Sequence, residues 1–504
     1  MLKNFKDLIF YEIYPNSFKD SNGDGFGDLK GIISELDYVK SMGFSGIWLN
    51  PIYDSPFLDG GYDIRDPFKV SPRFGTNDDL KELISEMHKR DMRLFLDLVP
   101  GHMSITNERF LNSAKGTKNE DSDLFVWNNC VWDLEPNLRL ISGMFERNGC
   151  FLVNFFAHQP AINYGFNRKD YSWQKGIDSE GATKGRKFLE SIMKFYLDLG
   201  VDGFRVDMAD SLVKNDDDKF ETIKTWHIIL DDLRKEGYKD FYMTSEWSNP
   251  RQSLEAGFSS DFVLDHEHNC NHMLFRQWEH DKLPLVKKYD EELYVKCMKD
   301  LDERVKASKE FKGELSFISG NHDSKRLANF LDRDELKVAY LLLMTLPGVP
   351  YIYYGDEIEA HTVEDMVSFE GGYHRTGSRL MMKYDSSKNY GFSSSDTTYL
   401  PPNDSDLTLE ESKKDKDSVY NFLKKAISMR NENEELRDTS NFELLDYKFG
   451  FVRGDIVVLA NLLDEEQIYK AKVSKTLLST GEVLVKESEV ILKPHSAIAF
   501  KVVR

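Results

Sequence analysis

The chain has 504 residues, of which 40% are hydrophobic and 30% charged, the usage of an ordinary globular protein. At about 150 residues per domain, this length predicts roughly two to four domains, or one large barrel with additions. The 86 acidic and 66 basic residues give a net charge of −20, which repels phosphate backbones. Composition therefore argues against a nucleic-acid partner, whereas neutral ligands such as sugars are not disfavoured.

Neither a membrane span nor a disulfide framework is visible in the sequence. No apolar run reaches about 18 residues. The first segment, MLKNFKDLIFYEIYPNSF, lacks the sustained apolar stretch and small-residue cleavage site of a secretory signal. Cys130, Cys150, Cys270 and Cys297 are too few for a disulfide scaffold and are not spaced as a zinc site. We therefore expect a cytoplasmic protein with free thiols and no membrane partner.

Short apolar segments alternate with amphipathic segments over most of the chain. The predicted strands are 9–15, 46–50, 93–100, 201–208, 241–247, 261–265, 314–321 and 349–357. The clearest predicted helices are 29–43, 79–92, 185–200 and 418–436. Alternating strands and helices predict a parallel sheet, and eight such units predict an α/β fold of the (β/α)8 TIM-barrel class.

Two stretches depart from this alternation. Residues 103–172, after the third strand, are polar and aromatic without a clear period, which predicts an inserted subdomain. Residues 437–504 alternate between apolar and polar positions with Gly and Asp turns, which predicts a C-terminal antiparallel β domain of sandwich type. The catalytic barrel is accordingly assigned to 1–102 and 173–436.

Acidic residues stand at several strand ends, where barrel enzymes place their chemistry. The third predicted strand leads to Asp97, the fourth to Asp207, the fifth to Glu246 and the seventh to Asp323. Any one of them has about even odds of being a helix cap. Bringing Asp207, Glu246 and Asp323 together costs repulsion and desolvation, a cost that is usually tolerated for function.

Paired carboxylates without metal-binding histidine spacing suit glycoside hydrolysis. One carboxylate attacks the anomeric carbon, while the other is kept protonated by neighbouring negative charge and donates to the leaving oxygen. A third can hold the sugar hydroxyls, and an arginine beside the nucleophile is expected to keep it ionised. The pattern therefore predicts a glycosidase.

Four motifs carry a family resemblance: DLVPGH at 97–102, GFRVD at 203–207, SEW at 245–247 and GNHD at 320–323. They resemble the four signature regions of the α-amylase superfamily of glycoside hydrolases, family 13. The chain as a whole is most similar to the oligo-1,6-glucosidase and α-glucosidase branch of that family.

This resemblance implies roles for individual residues. Asp207 resembles the nucleophile of the retaining mechanism, and Glu246 resembles the general acid/base. Asp323 resembles the stabiliser of the transition state, and Arg205 is similar to the arginine that orients the nucleophile. Further pocket residues implied in the same way are Tyr62, Asp97, His102, Phe155, Gln159 and His322.

Two more positions bear on where the enzyme cuts. Asp59, in LDGGYD, and Arg379, in RTGSRLMMKYD, resemble a pair that clamps the 4-hydroxyl of the terminal glucose in exo-acting glucosidases. A pocket closed in this way admits only a non-reducing end. An ordinary salt bridge is the alternative interpretation of this pair.

The segment DSNGDGFGD predicts a metal site. Side-chain oxygens at i, i+2, i+4 and i+8 on a Gly-rich turn suit Ca²⁺ or Mg²⁺. The resemblance implies one structural calcium, far from catalysis, and no organic cofactor. The alternative is a polar turn without a metal. The predicted ligands are Asp20, Asn22, Asp24, the Phe26 carbonyl and Asp28.

Together these observations predict a retaining, exo-acting α-glucosidase. It would release terminal α-linked glucose from short oligosaccharides or disaccharides through a covalent β-glucosyl-enzyme intermediate. A trehalose-synthase or sucrose-isomerase type enzyme, an endo-acting α-amylase and a non-catalytic sugar-binding barrel remain alternatives. The linkage is left open because Met208, after the predicted nucleophile, matches neither the Val of α-1,6 enzymes in this branch nor the Thr or Ala of α-1,4 enzymes.

Overall fold

Eight parallel strands form one curved sheet in the computed structural model, which describes residues 4–132, 135, 137–264, 268–277 and 283–503. The strands are β1 (Phe10–Ile13), β2 (Gly46–Leu49), β3 (Arg93–Leu98), β4 (Gly203–Val206), β5 (Tyr242–Ser245), β6 (Ser260–Val263), β7 (Glu314–Phe317) and β8 (Tyr351–Tyr353). Their order in the sheet is β7-β6-β5-β4-β3-β2-β1-β8. A parallel bridge between Ile318 and Tyr351 joins the two ends. The predicted barrel is confirmed.

Helices lie between these strands, and their ends follow local sequence signals. Asn77–Lys89 begins with a capping box between Thr76 and Asp79, which satisfies free N–H groups of the first turn. The helix Glu180–Leu199 ends at Gly200, whose φ of 101° is the left-handed conformation that glycine adopts readily. The other α-helices of six residues or more are Leu29–Ser34, Leu36–Met42, Glu108–Ser113, Phe220–Lys235, Pro250–Glu255, Cys270–Phe275, Glu291–Phe311, Arg333–Thr345, Leu409–Lys414 and Val419–Glu432.

The predicted elements and the observed ones differ mainly at their ends. The helix predicted over 29–43 is divided at Glu35, which has φ −102° and ψ 4°. The strand predicted over 261–265 ends at Val263, and residue 265 lies outside the described residues.

Aromatic rings fill the barrel interior. The set comprises Phe10, Trp48, Phe95, Phe262 and Tyr351. Phe10 stacks on Tyr351 at 4.3 Å between ring centroids and meets Phe95 edge-on at 4.7 Å. Space for these rings comes from glycines on neighbouring strands. A Cβ on Gly46 or Gly203 would lie 2.6 Å from the ring atoms of Phe10 or Phe95, so no larger residue fits there.

Strand alternation places the polar site on top of this aromatic layer. Successive side chains of a strand point to opposite faces. On β3, Asp97 therefore shares the inner face with Phe95, and on β4, Arg205 and Asp207 share it with Gly203. Because the strands are parallel, these side chains meet at one end of the barrel.

Smaller sheets accompany the barrel. A strand pair, Tyr53–Asp54 with Asp66–Val70, follows β2, and the segment after β3 contains a sheet of Trp127–Asn128, Leu140–Ser142 and Cys150–Leu152. The C-terminal part has an antiparallel sheet in the order Phe442–Leu444, Gly450–Arg453, Ile456–Asn461, Ser496–Val502 and Val473–Thr480, and a second one in the order Gln467–Lys470, Glu489–Leu492 and Val483–Val485.

The predicted C-terminal antiparallel domain is therefore confirmed, whereas the boundaries at 102/103, 172/173 and 436/437 stay predictions. None of the helices in the described ranges is long and apolar enough to cross a bilayer.

Candidate active site

A cavity of about 310 Å³ opens at the carboxyl ends of the barrel strands. Its walls include all three predicted catalytic carboxylates, Asp207, Glu246 and Asp323. Five predicted pocket residues also line it, namely Asp59, Tyr62, His102, Phe155 and Gln159. The other four lie behind the wall with at most 2% of their surface exposed, namely Asp97, Arg205, His322 and Arg379. The barrel thus brings together residues that are far apart in the chain.

One buried guanidinium connects three carboxylates. Nη1 of Arg205 donates to Asp97 Oδ1 over 2.8 Å and to Asp207 Oδ1 over 3.2 Å. Its Nη2 lies 2.6 Å from Glu246 Oε2. Glu246 Oε2 also accepts the main-chain N–H of Met208 over 3.0 Å. Both carboxylates of the predicted catalytic pair are therefore held by β4 and the residues that follow it.

The carboxyl groups of Asp207 and Glu246 both contact the guanidinium of Arg205. Burial and the adjacent charge of Glu246 raise the pKa of Asp207 well above its ordinary value, against the attraction of Arg205. Arg205 acts in the expected direction, toward the ionised form of Asp207, but burial and Glu246 outweigh it.

Behind Asp323, a chain of hydrogen bonds runs through His322. Its Nε2 lies 3.3 Å from Asp323 Oδ2, and its Nδ1 lies 2.9 Å from Glu12 Oε1. Burial raises the pKa of Glu12 well above its ordinary value and lowers the pKa of His322 well below its own. A protonated Glu12 donating to Nδ1 leaves the Nε2–H of a neutral imidazole for the Tyr62 hydroxyl and Asp323 Oδ2.

Sequence reasoning missed Glu12. Its signal was a carboxylate two residues after Phe10, on the inward face of an otherwise apolar strand.

Tyr62 forms part of the pocket wall beside this chain. Its hydroxyl donates to Asp97 Oδ2 over 2.8 Å and contacts His322 Nε2 over 2.8 Å. Its ring lies nearly parallel to that of His322, with centroids 5.3 Å apart. His102 Nε2 lies 3.2 Å from the Tyr62 carbonyl, and burial lowers the pKa of His102 to about 3. Both histidines are thus neutral hydrogen-bonding groups at neutral pH.

Asp59 and an arginine, Arg375, also line the cavity and are bonded to each other. Asp59 Oδ2 accepts from Gln159 Nε2 over 2.7 Å. Its Oδ1 lies 3.2 Å from Nη2 of Arg375, whose Nη1 lies 2.8 Å from Asp323 Oδ1. Burial raises the pKa of Asp59 to about 6, although Arg375 and Gln159 oppose the rise. Arg375 therefore bridges two carboxylates across the pocket.

Arg379, the arginine that the resemblance indicated, has a different place. It is 2% exposed, donates through Nη2 to Asp323 Oδ1 over 3.0 Å and through Nε to the His322 carbonyl over 2.9 Å. It supports Asp323 from behind, and Arg375 is the arginine that faces Asp59. Sequence reasoning missed Arg375. This residue begins the Arg-Thr pair that stands four residues before Arg379 in the same segment.

In the predicted calcium loop, main-chain N–H groups donate hydrogen bonds to the side-chain oxygens of Asp20 and Asp28. Asp20 Oδ1 accepts the N–H of Gly23 over 2.7 Å, and its Oδ2 accepts that of Gly25 over 2.8 Å. Asp28 caps the helix Leu29–Ser34 by accepting from Gly31 over 2.7 Å. Over the parts of the chain that the structure describes, no group of three or more His, Cys, Asp or Glu residues could hold a metal ion. Calcium stays a prediction for Asp20, Asn22, Asp24, the Phe26 carbonyl and Asp28.

Comparisons with known proteins agree with this site. Residues 12–439 match the family model described as alpha amylase, catalytic domain. The chain is 30% identical to a glucan 1,6-alpha-glucosidase of Streptococcus pneumoniae, with 98% of each chain covered. It is also 30% identical to a trehalose synthase/amylase of Mycolicibacterium smegmatis, over 85% of this chain and 76% of that one.

A solved trehalulose synthase of Pseudomonas mesoacidophila shares the fold, with a TM-score of 0.83, 23% identity and 99% of each chain covered. The match to the family model spans most of the chain, including all four predicted motifs. The chain therefore belongs to the α-amylase family of glycoside hydrolases, family 13, and is an enzyme of that family.

Proposed function

We propose that this enzyme is a retaining, exo-acting α-glucosidase that releases terminal α-linked glucose from short oligosaccharides or disaccharides. The observation that carries the proposal is the bridge from Asp59 through Arg375 to Asp323 in the cavity wall. A wall connected in this way supports a pocket that takes the non-reducing end of a chain rather than an internal segment. Its volume of about 310 Å³ is at the lower end for small-ligand pockets, about 300–1,000 Å³.

The reaction proceeds in two displacements at the anomeric carbon. Asp207 attacks this carbon while Glu246 protonates the glycosidic oxygen, which gives a β-glucosyl ester and the free leaving group. Glu246, now a carboxylate, takes a proton from water as the water displaces Asp207, and α-glucose leaves.

Asp323 would bind sugar hydroxyls while ionised. Burial raises its pKa, but His322, Arg375 and Arg379 together lower the pKa of Asp323 below its ordinary value. A carboxylate that stays ionised beside the ring stabilises the positive charge of an oxocarbenium-like transition state. The neutral His102 and the hydroxyl of Tyr62 add hydrogen bonds at the same ring.

The charge of the cavity indicates an uncharged substrate. Its walls carry carboxylates at Asp59, Asp207, Asp210, Glu246 and Asp323 and a guanidinium at Arg375. Phosphorylated sugars would meet repulsion from these groups, whereas neutral glucosides would not. The relatives named as glucosidases support hydrolysis of such neutral sugars.

A second candidate is a glucosyl-transferring isomerase. Relatives named as trehalose synthase, together with solved trehalulose synthases of the same fold, favour it. In that case the cleaved sugar stays bound and attacks the glucosyl ester in place of water. The two reactions share the first step and differ in the acceptor.

A product panel distinguishes these functions. Purified enzyme is incubated with isomaltose, maltose, trehalose and sucrose, and products are separated by anion-exchange chromatography. The proposal expects glucose, released as the α-anomer in proton NMR, and an Asp207→Asn variant at least 10⁴-fold slower. Isomeric disaccharides without free glucose would establish the isomerase. Cleavage of a maltooligosaccharide blocked at its non-reducing end would establish endo action and refute the closed pocket.

A further inference from the structure

The turn that follows β5 carries two cavity residues, and the residue after them has a strained main-chain conformation. Glu246 and Trp247 both line the cavity. Ser248, the next residue, has a φ of +60°, which is the left-handed region that side chains other than glycine rarely adopt. Such a conformation persists only where its surroundings hold it in place.

Two charged side chains hold Ser248 from opposite ends. Its N–H donates to Asp261 Oδ1 over 3.2 Å, and its carbonyl accepts from Arg304 Nη1 over 3.1 Å. Asp261 lies on β6 and is 1% exposed, and Arg304 lies on the helix Glu291–Phe311. Arg304 is itself fixed by Asp300, whose Oδ2 lies 2.8 Å from its Nε. The turn is thus clamped from outside the cavity.

Asp261 also reaches the residue on the other side of Glu246. Its Oδ1 accepts from Ser245 Oγ over 2.6 Å, and Ser245 Oγ contacts Ser253 Oγ over 2.5 Å. One carboxylate oxygen therefore holds the residue before Glu246 and the second residue after it. Asp261 is not among the residues that line the cavity, so it acts on Glu246 only through this turn.

The contacts of the Glu246 side chain come from the other neighbouring strand. Arg205 and the N–H of Met208, both from the β4 side, bind its Oε2. The main chain of Glu246 is bonded to the same side, since its N–H donates to the Val206 carbonyl over 2.9 Å and its carbonyl accepts from the N–H of Ala209 over 3.2 Å. From the β6 side, Asp261 holds the flanking residues Ser245 and Ser248. The position of the carboxylate relative to a leaving oxygen therefore depends on both strands.

We propose that Asp261 is a positioning residue that sets Glu246 for proton transfer to the leaving group. The inference rests on the proposed role of Glu246 as general acid. A positioning role can be told apart from a role in stability alone, because only the steps that need a general acid depend on the position of Glu246.

The experiment compares two substrates that differ in their need for an acid. Cleavage of isomaltose expels a sugar alkoxide, a poor leaving group that needs protonation. Cleavage of α-glucosyl fluoride expels fluoride, which leaves without protonation. The value of kcat/KM reports the first displacement for both. We expect Asp261→Ala to lower kcat/KM for isomaltose at least 30-fold and for the fluoride less than threefold. Asp261→Asn, which retains an oxygen acceptor for Ser245 and Ser248, is expected to recover most of the isomaltose activity.

Controls separate positioning from stability. Glu357→Ala removes a buried carboxylate bonded to the hydroxyls of Tyr11 and Tyr38, away from the turn, and should affect both substrates equally. Ser245→Ala, a milder change at the turn, should lower the isomaltose value about threefold to tenfold and spare the fluoride, which keeps the test decisive if Asp261→Ala does not fold. Equal losses on both substrates in the Asp261 and Ser245 variants would overturn the proposal.

A parallel Glu246→Gln variant keeps this test apart from the proposed function. If Glu246→Gln shows no selectivity between isomaltose and the fluoride, the assignment of Glu246 as the acid fails. If Glu246→Gln is selective and the Asp261 variants are not, the acid stands and only the positioning role of Asp261 is refuted.

Discussion

Arg375 binds Asp323 across the cavity, with 2.8 Å between Nη1 and Oδ1, and the same guanidinium reaches Asp59 with its other terminal nitrogen. Asp323, the proposed stabiliser of the transition state, is thereby connected to Asp59 in the cavity wall. This connection yields a first prediction on substrate recognition, in which Arg375 and Arg379 have different roles.

We expect Arg375→Ala to lower kcat/KM on a disaccharide about 30- to 100-fold, mostly through KM. Removing one partner of a hydrogen-bonded charge pair costs about 2–5 kcal/mol when it is buried, and the side chain of Arg375 is 25% exposed, which favours the lower end. Steady-state kinetics measure the change. The melting temperature should stay within about 2 °C of the wild type, since surface-near changes cost little.

The matched control is Arg379→Ala, four residues later. Because Arg379 is 2% exposed and bonded to the His322 carbonyl, its removal leaves buried groups unpaired. We expect a loss of about 3–5 kcal/mol in the free energy of unfolding. If Arg375→Ala proves the more destabilising of the two and Arg379→Ala folds normally with raised KM, the placement of the two arginines is wrong.

A second prediction concerns pH and Asp59. Burial raises the pKa of Asp59 from 3.8 to about 6. The folded protein therefore binds this proton more tightly than the unfolded chain, and stability falls as pH rises from about 4 to about 6, then levels off. Asp59→Asn removes that penalty. We expect the free energy of unfolding of the variant to exceed that of the wild type by up to about 3 kcal/mol at pH 7.5.

Urea unfolding at two pH values measures this difference. At about pH 3 or below, Asp59 is mostly protonated in both states, and the difference between variant and wild type should shrink toward zero. The variant should at the same time bind substrate more weakly, because an amide pairs less strongly with Arg375 than a carboxylate does. A variant less stable than the wild type at pH 7.5 would contradict the prediction.

A third prediction concerns metal removal at the loop 20–28. Because the Asp20 oxygens already accept main-chain N–H groups, we expect a chelator to change the melting temperature by less than about 1 °C. Asp20→Ala, by contrast, leaves buried N–H groups without an acceptor and should cost about 1–3 kcal/mol. Scanning fluorimetry with EDTA and with added CaCl₂ measures both effects. A clear rise of the melting temperature with calcium would restore the predicted metal site.

A fourth prediction concerns the attachment of the C-terminal sheet to the barrel. Arg453 is fully buried and donates to the carbonyls of Thr345, Leu436 and Asp438 over 2.6, 2.9 and 3.1 Å. Arg453→Leu leaves these carbonyls unpaired, and at about 1 kcal/mol each we expect a loss of about 3 kcal/mol. Calorimetry measures the loss.

The activity of Arg453→Leu should be unchanged at temperatures where the variant is folded, because Thr345 precedes β8 at the end of the barrel opposite the cavity. Lys501→Leu, which removes a surface ion pair with Glu435, is the control and should cost less than about 1 kcal/mol. Equal losses in both variants would show that Arg453 contributes no more than a surface charge.

Local patterns in the sequence predicted the barrel and the catalytic carboxylates. Strands are recognised as short apolar runs. Because side chains alternate between the two faces of a strand, Asp97 and Arg205 are assigned to the inner face without knowledge of distant contacts. Parallel connection then requires that the carboxyl ends of the strands meet. For this reason the proximity of Asp207 and Glu246 could be predicted from the position of each residue at the end of its own strand.

The remaining site residues required the tertiary structure. Arg375 and Arg379 stand in one segment without period, and the short 3₁₀ helix Tyr373–Ser378 decides which of them enters the cavity. Glu12 meets His322 across 310 positions of sequence. The hydrogen bond from Ser248 to Asp261 likewise joins a turn to a strand, and no local sequence pattern predicts that the two are in contact.

The sequence by itself determined which residues belong to strands, which face the barrel interior and which family chemistry they resemble. These properties depend on hydrophobic periodicity and on strand ends, which are set within a few residues. Only the tertiary structure decided the partners of Asp59, Asp323 and Glu246. Those contacts depend on the paths of irregular segments, which packing against the rest of the chain fixes.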